Sequence, residues 1–181
     1  LRIGQVMLGK MSSYTDLGDY SAAVKISEVW YFIPFIIFTT IYPKLIEYRK
    51  IDEKLYYGRL QEYFSLVALI SYAAIVPVFF FNEHIIRIIF GDTFIRAGAI
   101  LSVHIWAGLF VAMSYARNSW CNVENYTRGV FYSTLAGAVA NVLLNIPLIT
   151  WYGGLGAAYA TMIARVIACL LYTSPSPRDR T

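Results

Sequence analysis

Three stretches of this chain, Tyr63–Phe81, Ala97–Ala116 and Val130–Thr150, run for about twenty residues each without an Asp, Glu, Lys or Arg. About twenty apolar residues in helical form cross a hydrocarbon layer about 30 Å thick. The apolar residues are continuous rather than alternating, which favours helix over strand. In lipid each backbone must satisfy its own hydrogen bonds, so spans are helices or closed barrels. Two further stretches approach the same length. Tyr20–Tyr42 carries Lys25 and Glu28 near its start, and Leu155–Leu171 carries Arg165. The opening LRIGQVMLGKM reads as the end of another span. The fold class expected is therefore an all-α membrane protein, a bundle of about five spans plus the end of a sixth. Composition agrees: 58% of the 181 residues are hydrophobic and 14% charged, against about a quarter charged in a soluble domain. Mean hydropathy is +0.54.

The connectors set the expected orientation. Lys44–Glu62 holds five Lys or Arg and Arg117–Arg128 holds two; Asn82–Arg96 holds two and Trp151–Gly154 none. Basic residues gather on cytoplasmic loops, so the first and third connectors are expected inside. Asn82–Arg96 contains EHIIRIIFGD, too short to span and read as an interfacial turn of helix. No ordered basic, apolar and cleavage regions mark a secretory leader. At the other end CLLYTSPSPRDRT turns polar, and Cys169–Asp179 reads like a translated sequencing adapter. Residues 169–181 are thus expected to be a non-native tail behind a membrane domain at 1–168.

Several function classes find no support. Two cysteines give neither metal spacing nor a disulfide framework. No phosphate-binding glycine loop, zinc motif or nucleophile elbow occurs, so neither a cofactor nor covalent chemistry is expected. Glu47, Asp52, Glu53 and Glu62 interleave the basic connector, which argues against a nucleic-acid partner. His84 reads as interfacial, and His104 as a packed, hydrogen-bonded span residue.

The polar residues inside the spans are the candidates. Lys25 and Glu28 stand one helical turn apart: either a local ion pair near the interface, with Lys25 snorkelling, or a pair facing a water-filled lumen. Arg165 lies about ten residues into the last span. There an Arg costs about 2.5–3.5 kcal/mol on insertion scales, so an acidic partner such as Glu28, or a cavity, is expected. Asn141 and Asn145 share one face at i, i+4, either as interhelical glue or as the wall of a hydrated cavity that could bond sugar hydroxyls. Gly156 and Ala160 form a small face that lets helices approach closely. Pro34 and Pro77 each favour a kink.

Three blocks carry a resemblance. GQVMLGKMSSYTDLGDYSAAVKISEVWYFIP resembles a stretch of bacterial polysaccharide flippases that usually reads D-Q-x-M-L-G, then G-x-Y-S-A-A, then S-E-x-W-Y-F-I-P. IIFGDTFIRAGAIL resembles their Y-G-x-x-F-x-x-A-x-x-x-L turn. NVLLNIPLITWYGGLGAAYAT resembles their N-x-x-L-N-x-x-L-I-x-x-Y-G-x-x-G-A-A-x-A-T block. These are O-antigen and capsule repeat-unit translocases of the multidrug/oligosaccharidyl-lipid/polysaccharide exporter superfamily. One departure is Gly4, where the family often has Asp. The resemblance implies one partial lobe of a two-lobe, multi-pass protein of the bacterial inner membrane. It implies a transporter rather than an enzyme, moving a lipid-diphosphate-linked oligosaccharide by alternating access through a hydrated cationic cavity. The implied partners are that substrate, membrane lipids, a coupling ion and an N-terminal lobe of the same chain. Two alternatives stay open: a drug or cation antiporter of the same superfamily, and a membrane enzyme of glycan assembly such as a polymerase or acyltransferase.

Overall fold

A computed structural model describes residues 3–170. Among these every regular element is helical: α1 Ile3–Met11, α2 Tyr14–Val29, α3 Phe32–Ile51, α4 Glu53–Phe80, α5 Asn82–Phe90, a 3₁₀ turn Asp92–Phe94, α6 Ala97–Val123 and α7 Thr127–Leu170. Four helical stretches are long and apolar enough to cross a membrane: Tyr14–Ile51, Glu53–Phe80, Ala97–Val123 and Thr127–Leu170. The last turns back on itself at Gly153, where φ is 55° and ψ −130°. A Cβ at Gly137 would fall 2.6 Å from the Ala168 methyl, so residues far apart in α7 lie side by side. Among the described residues these four stretches, the last folded into two arms, make an all-α, multi-pass membrane bundle. The expected connector at Trp151–Gly154 is this pivot. A Cβ on Gly156 would overlap the Leu148 carbonyl, so the small face packs the two arms of α7 together.

α6 is the central helix, packed against α2, α3, α4, α5 and α7. Its buried stripe is largely small: Ala97, Gly98, Ala107, Gly108, Ala112 and Ala116. Gly108 admits the Trp30 indole, which a Cβ there would approach to 2.9 Å. Two apolar clusters flank it. One joins Leu8, Tyr20, Ile86, Leu101 and Ile149; the other joins Leu45, Tyr56, Tyr63, Val67 and Ala112.

Local chemistry sets the element ends. Ser13 accepts a hydrogen bond from the Asp16 N–H at 3.1 Å and caps α2. Pro34 has no N–H to give, and the Trp30 carbonyl instead accepts from Ile33 N at 3.2 Å. The result is a narrow step between α2 and α3. Asp52 is extended and caps α4 through Lys54 N at 2.8 Å.

Four expectations change. The helical stretch that holds the first pass runs from Tyr14 to Ile51, beyond the apolar run Tyr20–Tyr42 at both ends. The Lys44–Glu62 connector shrinks to Asp52, and Arg117–Arg128 shrinks to Glu124–Tyr126, with Asn125 at φ 57°. Charged residues form good helix, so the helices continue past the point where the apolar runs stop. Pro77 sits in the last turn of α4 and marks its end rather than a mid-span kink. Both polar ends nevertheless meet at one pole, where Arg49 Nε lies 3.1 Å from Glu124 Oε1. α5 is helical, as expected of an interfacial segment. The tail expected over 169–181 lies outside the described residues from 171 onward, while Cys169 and Leu170 continue α7.

Candidate functional site: two polar chambers that share Arg165

The hairpin pivot fixes the site. Asn141 lies twelve residues before Gly153 and Arg165 twelve after it, so the two arms carry them to the same depth. At 1.5 Å per residue that depth is about 18 Å from the turn. Both line a cavity of about 350 Å³ between the α2–α3 step, α6 and the arms of α7. Tyr31, Ser114, Tyr115, Arg117, Asn118, Thr134 and Thr161 complete its polar wall, which contains no Asp or Glu.

Arg117 is the residue that sequence reading assigned to a loop. It is 9% exposed. Its Nη1 donates to the Ala168 carbonyl at 2.6 Å and its Nη2 to Asn118 Oδ1 at 3.4 Å, tying α6 to the second arm of α7. Its Nε is buried with no partner. The missed signal was helical phase: continuing α6 beyond its apolar run puts Ser114, Arg117 and Asn118 on one face.

A second chamber of about 40 Å³ adjoins the first, lined by Gly4, Gln5, Tyr20, Glu28, Tyr31, His104, Thr161 and Arg165. It has room for a few waters at about 10–15 Å³ each. Tyr31, Thr161 and Arg165 border both chambers. Glu28 and Arg165 thus share a wall but form no ion pair. Neither do Lys25 and Glu28; the ion pairs among the described residues are Arg49 with Glu53 and Glu124, Arg59–Glu62 and Arg87–Asp92. Lys25 and Glu28 are exposed on α2, and Lys25 lines neither chamber.

The amides bond to each other along one arm of α7, not across to another helix. Asn145 Nδ2 donates to Asn141 Oδ1 at 3.1 Å. Asn141 faces the large cavity, whereas Asn145 is fully buried with its Oδ1 unpartnered. A Cβ on Gly4 would lie 3.1 Å from Tyr20 Oη and 4.0 Å from that Asn145 oxygen. A side chain at position 4 would therefore press on the Tyr20 hydroxyl at the edge of the second chamber, which Gly4 lines. His104 packs edge-on against Tyr20, and its Nδ1 is 2.7 Å from Ser27 Oγ. That is a packed, bonded span histidine. His84 is exposed on α5.

No family model matches the chain, and no solved structure matches it. It is 21% identical over 170 residues to a probable low-salt glycan biosynthesis flippase, Agl15, of the archaeon Haloferax volcanii. The match covers 92% of this chain and 35% of that protein, so the chain spans about a third of its relative's length. What the fold and the similarity establish together is a multi-pass membrane protein distantly similar to a flippase of glycan biosynthesis.

Proposed function

We propose that this chain forms part of a flippase that carries a lipid-diphosphate-linked oligosaccharide across the cytoplasmic membrane for surface-polysaccharide assembly. The observation that carries the reading is the large cavity, whose wall holds two guanidinium groups and no carboxylate. An anion entering it meets the Arg117 and Arg165 side chains that line the wall. Guanidinium offers planar, paired donors that match phosphate oxygens. Asn141, Ser114, Thr134 and Thr161 add hydroxyl and amide groups suited to sugar hydroxyls. Glu28 supplies counter-charge to Arg165 across the small chamber, and Lys25 extends the cationic surface on α2. The lipid tail stays in the bilayer while the polar head crosses, and no covalent step is needed. The cationic wall disfavours the drug or cation antiporter reading. The similarity to a glycan flippase supports the substrate class, and the resemblance to O-antigen and capsule translocases supplies its finer form.

The test is transport by the intact gene product in proteoliposomes loaded with a fluorescent lipid-diphosphate oligosaccharide. Arg117→Met and Arg165→Met should each slow flipping at least tenfold, at unchanged protein insertion. A loss of roughly 1.4 kcal/mol of transition-state stabilisation corresponds to that factor. Wild-type rates in both variants would overturn the proposal.

A further inference from the structure

A third cleft, of about 510 Å³, opens between α3 and α4, away from both chambers. Its lining changes character along its length. Tyr48 and Arg59 lie four and seven residues from the Asp52 corner, or about 6 and 10 Å at 1.5 Å per residue. Lys44 and Glu62 come next. Ile41 and Leu66 lie eleven and fourteen residues away, or about 16 and 21 Å. The polar end therefore sits where the charged corner leaves the membrane, and the apolar end points into the hydrocarbon.

The charges within the cleft are unequal. Arg59 and Glu62 neutralise each other at 2.8 Å. Lys44 is exposed and makes no ion pair among the described residues, so the cleft presents one uncompensated cation. A ligand that complements it needs a single negative head and an apolar tail running along the membrane normal.

We propose that this cleft binds one anionic phospholipid, with the phosphate against Lys44 and an acyl chain along Ile41 and Leu66. Basic pockets between membrane helices near the interface are suited to such head groups. A zwitterionic lipid brings its own cation beside Lys44 and fits less well.

The experiment is native mass spectrometry of the purified chain titrated with dioleoyl phosphatidylglycerol, phosphatidylcholine or phosphatidylethanolamine. Phosphatidylglycerol should bind at least several-fold tighter than either of the others. Lys44→Ala should weaken it about five-fold, the effect of one basic residue near an anionic lipid, while Lys44→Arg keeps it. Lys54→Ala removes the same charge from the same segment outside the cleft and should leave binding unchanged. Soluble glycerol phosphate, the head group without a tail, should not displace the lipid. Equal binding of the three lipids, equal losses in Lys44→Ala and Lys54→Ala, or displacement by glycerol phosphate would each overturn the proposal.

Discussion

Replacing Gly153, the non-helical residue inside α7, with alanine should damage this fold more than the same change at Gly91, the other positive-φ glycine. At φ 55° and ψ −130° the backbone lies where L-residues rarely go, which costs about 1–3 kcal/mol for a residue with a Cβ. The new methyl would also come within 2.8 Å of Asp16 Oδ2. Asp16 could swing away only by giving up its hydrogen bond from Ser12, worth about 0.5–1.5 kcal/mol. Together the terms predict a loss of about 2–4 kcal/mol.

Two other glycines separate those terms. Gly91 has φ 83° and nothing within 4 Å of an added Cβ, so Gly91→Ala carries the strain alone, about 1–3 kcal/mol. Gly58 is helical with equally open surroundings, and Gly58→Ala should stabilise by about 0.5–1 kcal/mol. The assay is reversible unfolding in mixed micelles, followed by circular dichroism. Gly153→Ala at or below the cost of Gly91→Ala would refute the pivot argument. The consequence reaches the site, because Asn141 and Arg165 are level only while the turn holds its register.

Two further outcomes are expected. Ser27→Ala should cost about 1–3 kcal/mol, because it strips the buried His104 Nδ1 of its 2.7 Å partner; the same micelle titration measures it, and a wild-type midpoint would show that the pair contributes nothing. A cysteine at the exposed Tyr57, placed in a Cys169→Ser background that leaves only the buried Cys121, should resist a membrane-impermeant thiol reagent in intact cells and react after lysis; labelling without lysis would reverse the assigned sides.

The passes were legible because hydropathy is a local property. The tight turn at Trp151–Gly154 was legible because two glycines interrupt an otherwise continuous helical pattern. Element ends were not, since charge was read as the end of a helix. Lys44 to Glu62 is strongly charged yet helical on both sides of Asp52; charge marks where a helix leaves lipid, not where its hydrogen bonds stop. The same error hid Arg117. Arg165 was expected to have an acidic partner such as Glu28, or a cavity, and the two residues line one chamber. Their missing ion pair, and the place of His104 and Tyr20 in the lining of that chamber, depend on how α6 packs between distant segments, which no local pattern encodes.

The two arginines show different answers to the same electrostatic problem. A guanidinium in low dielectric needs acceptors for its donors or water around it. Arg117 finds acceptors, the Ala168 carbonyl of α7 and Asn118 Oδ1. That placement makes Arg117 a brace between α6 and α7 as well as part of the cavity wall. Arg165 has no such brace and stands between two hollows instead. Packing could have filled that space with leucine, as it does elsewhere in the bundle. A side chain that needs water, set where the fold leaves room for it, is stable without being fixed in one geometry. It can therefore turn toward either chamber without breaking any bond seen to hold the helices together among the described residues.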